Sequence, residues 1–166
     1  MFEKFETTNE LFRYKLGSAL KMEETIVDML DRLQAAAQSD DLRRQLHHHQ
    51  DETRQQVGNL ERAFAAIGEE PDKHVDLVIE AIDKQGLLQI KRSEDGVVDS
   101  VILAGAAETE HHEIAVYDWL IAEADALGHQ DVVALLRENL QQEQHTLQEV
   151  QKATQATARL TSARAA

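Results

Sequence analysis

Cysteine is absent from the 166-residue chain, proline occurs once, glycine seven times, and aromatic residues make up only 4 %. Without cysteine there can be no disulfide, zinc–thiolate site or thiol nucleophile. So little proline, glycine and aromatic content argues against a sandwich or barrel and for helices. No apolar run approaches the ~18 residues of a membrane span, so no membrane is expected. Met1-Phe2-Glu3-Lys4 is not a basic segment leading into an apolar one. We therefore expect no signal peptide and a cytoplasmic address. Positive charge is also short: 17 Lys and Arg stand against 31 Asp and Glu, for a formal charge of −14. An acidic surface repels phosphate, so neither nucleic acid nor anionic lipid is expected as a partner. The exception follows Glu149, where Lys152, Arg159 and Arg164 occur with no acid among them. This stretch reads as a frayed Ala/Thr-rich tail, so we expect one domain over 1–157 and a tail over 158–166. Gly-rich phosphate loops and a Ser/His/Asp nucleophile set are missing as well.

What is present is a seven-residue apolar repeat in four long segments, the mark of bundle helices. The first stripe is Phe12, Leu16, Ala19, Glu23, Ile26, Leu30, Leu33 and Ala37. The second is Leu42, Leu46, His49, Thr53, Gln56, Leu60, Ala63 and Ile67. The third is Leu103, Ala106, Glu110, Glu113, Tyr117, Leu120, Ala124 and Leu127. The fourth is Val133, Leu136, Leu140, Glu143, Leu147 and Val150. Ser39-Asp40-Asp41 can cap the second helix, and Gly68 and Gly128 can end the second and third. Asp99 or Ser100 is expected to open the third. Short turns make each pair an antiparallel hairpin, while the connection from Gly68 to Asp99 is long and holds a short apolar helix around Val75–Ile82. The predicted fold is therefore an all-α four-helix bundle of two hairpins with a long crossover, the ferritin-like topology.

Each stripe is interrupted by polar residues: Glu23; His49, Thr53 and Gln56, with Glu52 on the flank; Glu110 and Glu113; and Glu143. A buried carboxylate costs several kcal/mol unless paired or coordinated. One such glutamate alone reads best as a contact that sets helix register. Interruptions in all four helices, at matching distances from the turns, point instead to one shared partner. Carboxylate and imidazole suit iron or manganese. We expect Glu23, His49, Glu52, Glu110, Glu113 and Glu143 to hold two metal ions, iron first, with manganese or zinc as alternatives. Tyr117 reads equally as a ligand's hydrogen-bond partner or a core tyrosine. His47, His48 and His145 read as surface, and His111 and His112 as flanking the core.

The same residues resemble the YciF/YciE-type ferritin-like proteins, a stress-associated bacterial group related to rubrerythrins. The match is strongest at Ala106-Ala107, Glu110-His111-His112-Glu113-Ile114-Ala115, Tyr117 and Ala126-Leu127-Gly128. It extends to Glu23, to His49-x-x-Glu52-Thr53 with Gln56-Val57, and to Leu135-Leu136-x-Glu138-x-Leu140 with Glu143. The resemblance implies a ferritin-like bundle, a homodimer and a di-iron type of centre with those six candidate ligands. Two departures are visible: His49-x-x-Glu52 reverses the usual Glu-x-x-His order, and Glu143-x-x-Thr146 lacks its histidine. The expected activity is peroxide-consuming oxidoreduction in stress protection, with peroxide or oxygen as substrate. Ferroxidase-type iron binding, or a non-enzymatic helical dimer, stands as the alternative. Leu11, Leu20, Val27 and Met29, with Phe2 and Phe5, lie off the first stripe and are expected to face a partner.

Overall fold

The computed structural model describes residues 4–165, with side chains described as far as residue 160. It contains five helices, α1 (Thr8–Ala36), α2 (Asp40–Ala66), α3 (Leu77–Ile90), α4 (Asp95–Ala126) and α5 (Gln130–Ala165). No strand occurs among the described residues. The four striped segments are α1, α2, α4 and α5, and the helix of α5 continues past residue 157. No described helix is long and apolar enough to cross a membrane.

The turns form for local reasons. Ser39 accepts from the Leu42 amide at the start of α2, satisfying one of the donors that a helix start leaves free. Gly68 and Gly128 take φ values of 76° and 81°, the left-handed region that glycine enters without steric cost. At both, the next residue's amide reaches back to the helix, Glu69 to the Phe64 carbonyl and His129 to the Ala124 carbonyl. This is the Schellman closure.

Helix α1 packs on α2, α2 on α5, α5 on α4, and α4 on α1, closing a four-sided bundle. The crossover runs its length, with α3 lying against α1 and α4. Two ion pairs fix it along α1, Lys73 with Glu24 at 2.5 Å and Arg32 with Asp83 at 2.7 Å, and Ile79 between them in sequence is fully buried. Asp76 caps α3 through the amides of Val78 and Ile79, and its second oxygen meets His112 Nε2 at 3.1 Å. Burial pushes the Asp76 carboxyl up, but the His112 contact and the two amides outweigh it and hold the pKa below the usual value.

The structure differs from the sequence reading in three places. The crossover helix, expected around Val75–Ile82, starts at Leu77 and runs on through Gly86 to Ile90. One glycine costs about 1 kcal/mol in a helix, and the next turn brings the partly buried Ile90 onto the core. Helix α4 opens at Asp95, not at Asp99 or Ser100. Asp99 instead accepts from the amides of Gln38 and Ser39 at 2.7 and 3.0 Å, tying α4 to the α1–α2 turn. Finally, Leu20 and Met29 are buried within the chain at 0 % and 6 % exposure. Of the other off-stripe residues, Phe5 is half-exposed and Phe2 lies outside the described residues.

Gly17 faces the crossover so closely that a Cβ there would sit 1.7 Å from the Asp72 carbonyl oxygen. Backbone cannot yield as a flexible side chain can. Gly17→Ala is therefore expected to lift residues 72–74 from α1 and destabilise the fold by roughly 1–3 kcal/mol, as overpacking does. Denaturant unfolding would measure the loss, and an unchanged midpoint would refute this account.

Candidate metal centre

Glu23 of α1, His49 of α2, Glu110 and Glu113 of α4 and Glu143 of α5 all point inward and are buried, the four glutamates at 0–1 % exposure. Helical spacing explains this: residues three or four apart share a face, so every member of a core stripe faces the same axis. His49, Glu110, Glu113 and Glu143 each offer a donor atom within 4.8 Å of the others. His49 Nε2 lies 3.2 Å from a Glu110 oxygen. Glu23 adjoins this group and interacts with His49, Glu110 and Glu113.

Glu52 is placed differently. It is only partly buried, pairs loosely with His48 Nε2 at 3.6 Å, and lies outside the tight group. His47 and His145 lie on the surface beside Asp51 and Glu149. His111 is exposed.

Hydrogen bonds hold the outer side of the layer. Tyr117 donates to Glu23, and Gln56 donates to Glu143. Asn139 donates through Nδ2 to the Tyr117 oxygen at 3.0 Å, and its Oδ1 accepts from Asn59 Nδ2 at 2.8 Å. Arg62 donates to Asn59 at 3.0 Å. A guanidinium can only donate, so this end fixes the direction of the whole chain down to Glu23. Tyr117 is thus the hydrogen-bond partner of Glu23 as well as a core residue. Asn139, at 0 % exposure, was not singled out in the sequence. A step of three from Leu136 reaches it and a step of four reaches Leu140, which only hydropathy favoured.

Other polar atoms of the layer are unsatisfied. Among the described residues, the buried side-chain polar atoms without a hydrogen-bond partner are Glu23 Oε2, His49 Nδ1, Gln56 Oε1, Glu110 Oε2, both Glu113 oxygens and Glu143 Oε2. All belong to this layer. Burial, then the charges of Glu143, Glu23 and Glu110, push the Glu113 carboxyl well above the usual range. Burial and the charges of Glu110 and Glu23 do the same to Glu143. Glu23 is pushed up to about 7, chiefly by burial, against the lowering pull of Tyr117 and His49. Burial pushes the His49 imidazole down, but Glu110, Glu23 and Glu52 outweigh it and hold it above its ordinary value. The layer is short of positive charge.

A family described as a domain of unknown function, DUF892, matches residues 7–163. The chain belongs to the DUF892 family. Protein YciF of Escherichia coli strain K12 is 27 % identical over 143 residues, spanning 85 % of this chain and 86 % of YciF. Among solved structures, YcfI from Rhodopseudomonas palustris is similar at a TM-score of 0.88 and 29 % identity, covering 91 % of this chain and 98 % of that one. The structure of YciF, described as an E. coli stress protein, gives a TM-score of 0.89 at 22 % identity, over 93 % and 99 % of the two chains. The ferritin-like bundle read from the sequence agrees with this family and fold.

Proposed function

We propose that this DUF892 protein holds a pair of metal ions, iron first, in the layer of Glu23, His49, Glu110, Glu113 and Glu143, and uses them to reduce a small oxygen species. The observation that carries the proposal is that the buried unpaired polar atoms fall in this one layer. Such atoms are ordinarily hydrogen-bonded, and cations satisfy carboxylates without needing donors. Charge supports a pair: four ionised glutamates carry as much negative charge as two divalent ions carry positive. Oxygen donors with one imidazole suit iron or manganese better than zinc, whose structural sites favour nitrogen and sulfur.

When bound, a redox-active pair supplies electrons to the oxidant. The chain's own residues do the rest. Tyr117 and Gln56 each engage one carboxylate, holding Glu23 and Glu143 in orientation. Glu113, with both oxygens free of hydrogen bonds, would offer both of them to the ions. The oxidant is hydrogen peroxide or dioxygen, in keeping with a role in stress protection, and a homodimer rather than a storage shell is part of the proposal.

The test is a ferrous titration under nitrogen of protein purified without added metal, followed by decay of each oxidant per bound ion. We expect close to two ions per chain and catalysed decay of one oxidant. Absence of binding for both iron and manganese would refute the metal reading. A mass of 12 or 24 subunits by light scattering would make iron storage the leading function.

The hydrogen-bond chain behind Glu23 gives a smaller, separate expectation. Asn139→Leu leaves the Tyr117 oxygen without its donor and Asn59 without its acceptor, at a cost of about 1–3 kcal/mol. Metal affinity should fall about 10–100-fold, as it does when the groups that orient ligands are removed. Calorimetry with manganese would read this, and an affinity equal to wild type would show that Glu23 needs no such support.

A further inference from the structure

The two sides of the donor layer are not alike. Toward the Gly68 and Gly128 turns, Phe12, Leu16, Leu60, Phe64, Leu120 and Leu136 are packed to 0–1 % exposure. Toward the α1–α2 turn lies a cavity with about 40 Å³ of space for the centre of a water-sized molecule. Its walls include Ile26, Leu30, Leu46, Leu103 and Ala106. His49 and Glu110 also line it, with side chains 8 % and 1 % exposed, as do His48 and Glu52, 68 % and 17 % exposed. It therefore connects solvent-facing residues with buried members of the donor layer.

We infer that this cavity is the entry route and holding chamber for dioxygen, entered past His48 and Glu52 and meeting the donor layer at His49 and Glu110. The assignment rests on the metal reading for its purpose, but the binding itself needs no metal. Size comes first. One water needs roughly 10–15 Å³, so about 40 Å³ open to the centre of a water-sized molecule leaves room for a small molecule. Wall chemistry comes second. A buried water needs two to four polar partners, and cavities lined by aliphatic side chains stay dry and take up apolar guests such as xenon. Of its polar lining, the Thr109 hydroxyl already donates to the Gly105 carbonyl at 3.0 Å. Gln45, Thr146 and Glu149 also line it, and His49 and Glu110 each carry one unpartnered buried atom. The aliphatic stretch among Ile26, Leu30, Leu46, Leu103 and Ala106 is therefore the part that would hold an apolar guest. Along that aliphatic stretch hydrogen peroxide would leave hydrogen bonds to water behind. Dioxygen has none to lose.

Metal-free crystals pressurised with xenon test the chamber directly. We expect a xenon atom among Ile26, Leu46, Leu103 and Ala106. Ordered water filling the space, with no xenon, would overturn the assignment. Ala106→Leu should remove the xenon site and slow dioxygen-driven oxidation of protein-bound ferrous iron at least tenfold, with ferrous affinity under nitrogen unchanged. In that reaction two ferrous ions each give one electron to dioxygen, which takes up two protons and leaves as hydrogen peroxide. An unchanged oxidation rate, or an equal slowing of added peroxide, would overturn the choice of dioxygen. The xenon result on the unaltered protein decides the chamber even if Ala106→Leu does not fold. Failure to bind ferrous iron, with xenon present, would instead refute the metal reading and remove the purpose assigned here.

Discussion

Metal-free protein is expected to lose stability as pH rises from 5 to 8, and metal is expected to abolish that loss. The sign follows from which state holds more protons. Glu23, Glu113 and Glu143 have carboxyl pKa values raised by burial in the folded chain, Glu23 from 4.5 to about 7. Above pH 4.5 the unfolded chain gives up these protons while the folded chain keeps them, so stability falls with rising pH. For Glu23 the loss is complete once pH passes about 7, and its size is on the order of 3 kcal/mol at 1.36 kcal/mol per pH unit. His49, raised above its ordinary 6.5, acts in the same direction: its contribution is full below 6.5 and lost as pH rises through the folded value. A bound cation reverses the balance, because it selects the ionised carboxylates and the neutral imidazole. At a hundred times its dissociation constant, an ion stabilises the fold by about 2.7 kcal/mol, or roughly 5–10 °C in a chain of this size. Thermal melts at pH 5, 6, 7 and 8, with chelator, with ferrous iron under nitrogen and with manganese, would show it. Three coincident sets of curves would argue for a polar layer that binds no ion.

Glu113→Gln is expected to stabilise the metal-free protein while disabling the metal centre. Both Glu113 oxygens are buried without a partner, and three other carboxylates raise its pKa. Glutamine keeps the shape, cannot ionise, and brings an amide that can donate to the neighbouring carboxylates. Replacing badly compensated buried charge by neutral groups commonly gains about 1–4 kcal/mol. Metal-free Glu113→Gln should therefore melt higher than wild type at pH 8, with a flatter pH dependence. Its ferrous stoichiometry should drop, and with it oxidant consumption per chain. The paired measurement separates a binding layer from a structural one. If Gln lowers metal-free stability at pH 8, the carboxylate is held by something other than a missing cation.

The helical stripes were legible because burial in a bundle obeys one period. From Leu42 to Ala63, every residue of the α2 stripe is buried. For the same reason Glu23, Glu110, Glu113 and Glu143 could be recognised as inward-facing. Periodicity does not show how a flank residue leans. Glu52 follows His49 by three positions, yet its side chain lies beside His48 at the outer end of the cavity. Asn139 escaped because a stripe that can step by three or four leaves two candidates per turn, and an apolar bias selects Leu140. Met29 lines one cavity with Ile82, Leu87 and Ile90 of the crossover, a non-local neighbourhood that no repeat in α1 encodes.

The donor layer is divided between the hairpins: Glu23 and His49 come from the first, Glu110, Glu113 and Glu143 from the second. Neither hairpin carries the whole set, so an ion held by all five fastens one half of the chain to the other. Amide hydrogen exchange would sense this as a change in cooperative units. With an ion bound, the central turns of α1, α2, α4 and α5 should open only together. Once it is withdrawn, mutual repulsion among the carboxylates acts along the seam between the halves, and each hairpin gains freedom to breathe by itself.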